Sequence, residues 1–171
     1  MKRATKALLL VLACGLSACA TGADRFGSGS AGAGADGLGA AAGSASDPTS
    51  IAFFQEAVGD RILFVVDQWT VTPEAQTVLA GQARFLIENV DYTAIIEGHA
   101  DERGTRDYNL GLSKRRAAAV EEYLVAQGVA STRVRTLGFG KERPIEICSD
   151  ETCYAQNRRA VTVLTAGGLG S

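Results

Sequence analysis

A sharp change of composition near residue 51 most strongly limits how this chain can fold. Residues 20–50 are mostly Gly, Ala, Ser and Asp, and they contain only two large apolar side chains. Such a segment cannot bury enough apolar surface to offset the entropy that ordering costs. We therefore predict a flexible segment over residues 19–50, one folded domain over residues 51–166 and a flexible tail over residues 167–171.

The amino terminus has the pattern of a secretory signal peptide over residues 1–18. Three basic residues precede an apolar run over residues 7–16, and small residues follow that run. The run is too short to span a bilayer, because spanning needs about 20 apolar residues. We predict that this segment is removed by cleavage.

The stretch Leu16-Ser17-Ala18-Cys19, which ends the segment, resembles the lipobox of bacterial lipoproteins. The resemblance implies cleavage before Cys19 and attachment of lipid to its sulfur and to its new amine. Two or more acyl chains anchor a protein stably, whereas one chain holds it only marginally. The predicted product is tethered to a membrane without spanning it. The alternative is an ordinary signal peptide that ends beside a chance cysteine.

Removal of the signal would leave an acidic protein of 153 residues. The chain has 17 Lys and Arg against 19 Asp and Glu, and residues 1–18 carry three of the basic residues and none of the acidic ones. The remaining formal charge is −5. Because binding to phosphates needs a cationic surface, we predict no nucleic-acid partner.

Two cysteines remain once Cys14 is removed and Cys19 is lipidated. Cys148 and Cys153 lie in one short polar stretch, and the predicted compartment is oxidising, which allows disulfides to persist. We predict a local disulfide, worth roughly 2 kcal/mol in the chain-entropy model. Two free thiols are the alternative. A metal site would have too few ligands, so we predict neither a metal nor a cofactor.

Patterns typical of strands and helices alternate through the folded region. Short β-branched and aromatic runs predict strands over Arg61–Val66, Tyr92–Glu97, Val134–Gly138 and Arg159–Leu164. Capping signals and apolar spacing predict one helix that begins after Thr72 and another that begins near Arg106 and ends at Gly128. A long loop is predicted around Pro144. The order β-α-β-α-β-β predicts an α/β (α+β) fold, with a mixed sheet and both main helices on one face.

The apolar positions of each predicted helix indicate its buried face. They are Ala75, Leu79, Ala83 and Leu86 in the first helix and Leu110, Ala117, Val120 and Leu124 in the second. Asn109 and Arg116 are seven positions apart and therefore share a face beside the second apolar stripe. We expect their polar groups to line a cleft next to the core.

Polar residues are concentrated at residues 97–104 and 157–159. The first cluster follows a predicted strand and precedes a predicted helix, and ligands usually bind at the carboxyl ends of strands in α/β sheets. The glycines at 98 and 104 allow a tight backbone path. We therefore expect a binding site at this loop.

Five motifs, in order along the chain, resemble the OmpA-like peptidoglycan-binding domain family. They are Glu97-Gly98-His99-Ala100-Asp101-Glu102-Arg103-Gly104, Tyr108-Asn109, Ser113–Arg116, Gly138-Phe139-Gly140-Lys141 and Asn157-Arg158-Arg159. The resemblance covers the whole predicted domain. It implies that the domain recognises the diaminopimelate side chain in the stem peptides of peptidoglycan.

The resemblance also implies roles for particular residues. The position of Asp101 implies contact with the free ammonium of diaminopimelate. The position of Arg116 implies contact with a carboxylate, which a guanidinium can hold through two parallel hydrogen bonds. Further contacts are implied for Asp67 and for the backbone near Ala100. The pocket is expected to be lined or braced by Asn109, Leu112 and Arg158.

From the residues alone, structural roles compete with these assignments. Asp101 would brace the turn at Gly104, and Arg116 would be a solvated surface residue. His99 is the only histidine, and the sequence places no Ser or Cys nucleophile beside it, so we predict a structural hydrogen-bonding role rather than catalysis. Val66 departs from the family pattern, because related lipoproteins often carry an aromatic residue there.

Together these features predict a non-enzymatic tether between a membrane and the cell wall. Ala20, rather than Asp, follows the predicted lipidation site, as in lipoproteins that are sorted to the outer membrane. The resemblance further implies contact with Tol proteins, especially periplasmic TolB, and a part in envelope integrity and in outer-membrane invagination at division. The alternative is a wall-anchoring lipoprotein of the same family outside the Tol system, which recovery of TolB from solubilised envelopes would exclude.

Overall fold

The structure is a computed structural model that describes residues 43–147 and 149–167. The predicted features outside these ranges are the signal peptide, the lipidation site Cys19, most of the linker, Cys148 and residues 168–171. The pairing of Cys148 with Cys153 therefore stays a prediction. Within the described ranges, no helix is both long enough and apolar enough to cross a bilayer.

The described residues form strands and helices that alternate along the chain. The strands are β1 (Arg61–Leu63), β2 (Tyr92–Gly98), β3 (Val134–Gly138) and β4 (Arg159–Ala166). The helices are α1 (Ile51–Phe53), α2 (Pro73–Glu88), α3 (Arg106–Ala126) and α4 (Glu151–Asn157). A π-helical turn over Phe54–Gly59 continues α1, and a 3₁₀ turn over Ser131–Arg133 precedes β3.

The strands form one mixed sheet in the order β1-β4-β2-β3. β2 and β3 are parallel and are joined through α3, whereas β4 is antiparallel to both β1 and β2. The predicted mixed sheet and the β-α-β-α-β-β order of the main elements are confirmed. The sequence left the order of strands open, and the structure places the last strand between the first two.

One face of the sheet packs against α2 and α3, as predicted. Alternate residues of β2, Ala94 and Ile96, are buried in the same core as the apolar stripes of both helices. All four predicted core positions of α2 are buried. On α3 the prediction of Leu110 as a core residue is wrong, because Leu110 is exposed and Leu112 is buried instead.

Both main helices start where the sequence predicts, and the structure shows a threonine cap at each start. Thr72 accepts a hydrogen bond from the amide of Ala75 at 3.3 Å at the start of α2. Thr105 accepts one from the amide of Tyr108 at 3.2 Å at the start of α3. Because Thr105 directly follows the turn at Gly104, whose φ is 90°, the start of α3 is fixed beside the loop that follows β2.

The first strand is shorter than the predicted range Arg61–Val66, since it ends three residues earlier. The amide of Phe64 still donates to the carbonyl of Arg158 at 2.8 Å. The carbonyl of Val65, however, accepts a hydrogen bond from the side chain of Arg116 at 3.2 Å. Arg116 lies 51 residues further along the chain, so no local pattern could reveal where this strand ends.

The predicted long loop contains a further helix, α4, which the sequence analysis missed. Asp150 caps the start of α4 by accepting a hydrogen bond from the amide of Cys153 at 3.1 Å. The buried side chain of Asn157 at its end is hydrogen bonded to backbone groups of Ile145 and Glu146. A helix of seven mixed residues is too short for a helical period to appear in the sequence.

Replacement of Gly98 by Ala should severely weaken the fold. A Cβ at Gly98, the last residue of β2, would lie 1.9 Å from the carbonyl oxygen of Ser113 on α3. The backbone of α3 cannot move aside without separating the helix from the sheet. We expect the free energy of unfolding, measured by urea titration with circular dichroism, to fall by at least about 3 kcal/mol.

Gly111 offers the matched control within α3. A Cβ placed at Gly111 meets nothing within 4 Å. Because Ala favours helix over Gly, Gly111→Ala should keep the free energy of unfolding or raise it by up to about 1 kcal/mol. A Gly98→Ala protein as stable as the Gly111→Ala protein would contradict the close approach of β2 and α3.

Candidate functional site

A pocket of about 320 Å³ lies where the loop after β1, the loop after β2 and the first half of α3 meet. Small-molecule sites occupy about 300 to 1,000 Å³, so this pocket suits a ligand the size of one amino acid. Its lining residues are Val66, Asp67, Asp101, Arg103, Gly104, Tyr108, Asn109, Leu112, Arg116 and Arg158.

Six of the seven predicted ligand contacts lie on the wall of this pocket. They are Asp67, Asp101, Asn109, Leu112, Arg116 and Arg158. The seventh, Ala100, is buried outside the lining, and its amide donates a hydrogen bond to the carbonyl of Gly140 at 2.8 Å. The structure brings the predicted residues together, and their contact with a ligand stays a prediction.

Four lining residues were not named as contacts by the sequence analysis. They are Val66, Arg103, Gly104 and Tyr108. The last three belong to the motifs quoted for the family resemblance, so their position in those motifs is the signal that could have found them. Val66 directly precedes the predicted contact Asp67.

Asp101 provides a carboxylate at the wall of the pocket, and only 10% of its side chain is exposed. Its Oδ2 accepts hydrogen bonds from Arg103 Nη2 at 2.7 Å and Nε at 3.3 Å, and from Arg158 Nη1 at 3.1 Å. Its Oδ1 accepts one from the backbone amide of Arg103 at 3.2 Å. Burial alone would raise the pKa of Asp101, but the hydrogen bonds from Arg103 and Arg158 hold it below its ordinary value. Asp101 is therefore an anion at neutral pH.

Arg158 is held in place from three sides. Its Nε donates to the carbonyl of Phe64 at 3.2 Å, its Nη1 to Asp101, and its Nη2 to Glu151 Oε1 at 2.6 Å. Only 6% of the Arg158 side chain is exposed. Helix α4, which supplies Glu151, thereby fixes the guanidinium that pairs with Asp101.

Arg116 is a fully buried guanidinium on the same wall. It donates to the carbonyls of Gln68 at 2.8 Å, His99 at 2.8 Å and Val65 at 3.2 Å, and it stacks over the ring of Phe64 at 5.1 Å. Within the described part of the chain, all three hydrogen bonds of Arg116 go to carbonyls and none to a carboxylate. Burial lowers the pKa of Arg116 to about 10, so it stays a cation at neutral pH.

The loop between β2 and α3 is held in one shape by side-chain hydrogen bonds. Asn109 Nδ2 donates to the carbonyl of Asp101 at 3.1 Å and to that of Arg103 at 2.7 Å. Lys141 Nζ donates to the carbonyls of Glu102 at 3.1 Å and Gly104 at 2.8 Å. Because these contacts fix its backbone, the loop presents Asp101 to the pocket before any ligand arrives.

Asp67 joins the loop after β1 to helix α3. Its φ of 58° is in the left-handed region, which Asp adopts at lower cost than most residues. The hydroxyl of Tyr108 on α3 donates a hydrogen bond to Asp67 Oδ1, and this bond raises the pKa of Tyr108 above its ordinary value. The contact joins the pocket wall between the loop after β1 and α3.

His99 does not line the pocket, and the prediction that it forms structural hydrogen bonds is wrong. Its ring is buried and stacked on Phe139, with the ring centroids 5.4 Å apart. Within the described residues, neither ring nitrogen has a hydrogen-bond partner, and Glu97 Oε2 lies 3.7 Å from Nε2. Apolar packing therefore holds the ring in place.

The sheet, its two covering helices and the charged pocket define a small ligand-binding domain. In the ranges that the structure describes, no group of three or more His, Cys, Asp or Glu side chains is placed to hold a metal ion. The sequence model of the OmpA family matches residues 63–158. The matched range includes all ten residues that line the pocket.

Individual relatives agree with this assignment. The peptidoglycan-associated lipoprotein of Mesorhizobium japonicum is 51% identical over 124 residues, which are 72% of this chain and 74% of that protein. The protein of the same name from Rhizobium meliloti is 52% identical over 127 residues, which are 74% of this chain and 71% of that protein. The crystal structure of the peptidoglycan-associated lipoprotein from Burkholderia pseudomallei matches with a TM-score of 0.63 and 34% identity, over 70% of this chain and 98% of that one.

The chain therefore belongs to the OmpA family and, within it, to the peptidoglycan-associated lipoproteins. The predicted family resemblance and the prediction of a non-enzymatic protein are confirmed by this membership.

His99 should make the domain lose stability in acid. Burial, together with the charges of Arg159 and Arg143, lowers the pKa of His99 from 6.5 to about 4. Between pH 6.5 and pH 4 the unfolded chain therefore binds more protons than the folded one, and stability falls as the pH falls through this window. The shift corresponds to about 3 kcal/mol.

His99→Leu isolates this contribution, because carboxylates such as Glu97 titrate in both proteins. We expect the free energy of unfolding of the unchanged protein to fall further between pH 7 and pH 4 than that of the variant, by up to about 3 kcal/mol. Urea titrations at the two pH values measure the difference. Equal losses in both proteins would show that His99 is already protonated in the fold or is not buried.

Proposed function

We propose that this protein binds peptidoglycan non-covalently and that its pocket recognises the diaminopimelate side chain of stem peptides. The proposal rests on one arrangement, in which the carboxylate of Asp101 and the guanidinium of Arg116 line the same small pocket. Each carries its full charge at neutral pH. A ligand that fits both must present a cation and an anion together, as the free end of diaminopimelate does.

Arg116 has hydrogen-bonding capacity left for an anion. A guanidinium has five N–H bonds, and three are donated to the carbonyls of Gln68, His99 and Val65. The remaining donors suit a carboxylate, which pairs with guanidinium more strongly than a neutral acceptor does. Because Arg116 is buried, water screens this attraction less than it would at the surface.

The other predicted residues would complete the recognition. Leu112 and Val66 supply apolar wall for the methylene chain of diaminopimelate, and Asp67 adds a second carboxylate near the ligand. Lysine, which replaces diaminopimelate in some cell walls, has a side-chain ammonium without the adjacent carboxylate. The pocket should therefore prefer diaminopimelate.

We also propose that lipid on Cys19 anchors the protein to the inner leaflet of the outer membrane. The lipobox resemblance and the relatives' designation as lipoproteins support this placement. Residues 20–50, if flexible, would reach about 30 Å on average and about 100 Å when extended. Such a reach lets the domain contact the wall while the lipid stays in the membrane.

The proposed cellular role is a tether of the Tol-Pal system. Contact with TolB and other Tol proteins would link the anchored domain to envelope integrity and to outer-membrane invagination at division. The family resemblance supports this role.

Asp101→Asn should abolish most binding to isolated sacculi that contain diaminopimelate. The substitution keeps the size of the side chain but removes the charge that faces the ligand's ammonium. A lost charge-assisted contact lowers affinity by at least about tenfold, which a sacculus pull-down measures. Asp107→Asn is the control, because Asp107 is exposed in the first turn of α3 and does not line the pocket.

Sacculi that carry lysine in place of diaminopimelate provide a second control for the same experiment, and they should bind poorly. Thermal melts followed by circular dichroism must show that both variants are folded. If Asp101→Asn bound sacculi as well as Asp107→Asn, or if lysine walls bound equally well, the pocket assignment would be wrong.

Cys19→Ala should release the protein from the membrane into the soluble periplasm. Without the acylated sulfur no lipid remains to hold the chain once the wall has been digested. Ultracentrifugation of digested envelopes, followed by immunoblotting, measures the distribution. Cys14→Ala, which changes a cysteine inside the predicted signal, should leave the protein in the membrane pellet. Retention of the Cys19→Ala protein in that pellet would refute lipidation at this site.

A further inference from the structure

The cation-binding side of Asp101 is occupied in this structure by Arg103, a neighbour two positions along the chain. Arg103 contacts Asp101 Oδ2 through Nη2 at 2.7 Å and through Nε at 3.3 Å. A ligand's ammonium needs the same carboxylate. Arg103 also lines the pocket, so its guanidinium and an incoming ammonium would compete for one position.

Of the two guanidinium groups on Asp101, only that of Arg103 is placed to leave. Arg158 is almost entirely buried and is fixed by the carbonyl of Phe64 and by Glu151 as well as by Asp101. The side chain of Arg103 is 45% exposed. Moving Arg158 would break contacts with the loop after β1, the loop after β2 and α4. Releasing Asp101 from Arg103 requires only that a partly exposed side chain rearranges.

In its observed position the Arg103 guanidinium also has two partners on α4. The group lies over the ring of Tyr154 on α4, with its Cζ 4.6 Å from the ring centroid, and its Nη2 is 3.4 Å from Glu151 Oε2. An aromatic face and a carboxylate both attract a guanidinium. On leaving Asp101, Arg103 therefore keeps two favourable partners on α4.

We propose that Arg103 is an internal competitor for Asp101, and that a ligand's ammonium binds by replacing it on that carboxylate while Arg103 keeps its contacts with Tyr154 and Glu151. This inference rests on the proposed function, since it assumes that Asp101 receives the ammonium of diaminopimelate. Asp101 keeps a cationic partner throughout the exchange, because the ammonium takes the place of the guanidinium on the carboxylate. Arg103 thereby lowers the affinity of the pocket for its ligand. It also makes the pocket selective, since a ligand without an ammonium would bring no cation to replace Arg103 on the carboxylate of Asp101.

The inference makes a prediction opposite to that for a ligand-binding arginine: removal of Arg103 should tighten binding. We would titrate the full-length lipoprotein in detergent, by calorimetry, with a tripeptide that ends in meso-diaminopimelate. Arg103→Gln should lower the dissociation constant by about threefold to tenfold, the range expected for an exposed charge-assisted contact. Arg103→Lys, which keeps the charge but not the forked geometry, should give an intermediate value.

Arg106→Gln is the matched control. It removes the same charge from a nearby exposed arginine, whose Nε pairs with Glu142 Oε1 at 3.1 Å outside the pocket. Its dissociation constant should stay within about twofold of that of the unchanged protein. A peptide whose diaminopimelate side-chain amine is acetylated should bind Arg103→Gln no more tightly than the unchanged protein, because it brings no ammonium to Asp101. A merely structural role of Arg103 would change the affinity for both peptides alike.

The outcomes separate this inference from the proposed function. Equal or weaker binding of the diaminopimelate peptide by Arg103→Gln, with binding still lost in Asp101→Asn, would overturn the inference and leave the proposed function standing. Equal gains for the acetylated and the free peptide would also overturn it. If the unchanged protein did not bind the diaminopimelate peptide, or Asp101→Asn bound it normally, the proposed function and the inference would both fail.

Discussion

The buried guanidinium of Arg116 is the interaction on which the binding pocket depends. It draws together carbonyls from the loop after β1 and from the end of β2, while its own backbone belongs to α3. Replacing Arg116 by a residue without N–H donors would leave three carbonyls without their hydrogen-bond donor, and unpaired buried polar groups lower the stability of a fold. Because all three of its hydrogen bonds in the described residues go to carbonyls, the group that organises the loops is also the one that we propose for a ligand's anion.

The order of strands explains why the opposite charge lies on the same wall. Since β4 is inserted between β1 and β2, Arg158, which directly precedes β4, is placed between Phe64, which directly follows β1, and Asp101 after β2. The pocket is thus built from segments that are far apart in the sequence. The two charges on which the proposed recognition rests are held separately, Arg116 by carbonyls and Asp101 by guanidinium groups.

The sequence predicts much of this arrangement, because its strongest signals are local. The cap at Thr72, the apolar spacing on α2 and the glycines around Asp101 each act over a few residues, and the structure agrees with them. Errors arise where a distant contact decides the outcome. Arg116 ends β1 early, and Leu110 is exposed because buried polar side chains occupy the inner face of α3. Helix α4 and the pairing of Arg103 with Asp101 were not predicted, since neither a seven-residue helix nor a side-chain rotamer leaves a periodic signal in the sequence.

The most direct test of the account is a crystal structure of the protein with a tripeptide that ends in meso-diaminopimelate. The account predicts the free ammonium of the ligand within about 3 Å of Asp101 and the adjacent carboxylate paired with Arg116. A ligand that bound outside this pocket, or that lay in it with its charges reversed or touching neither residue, would contradict the central claim.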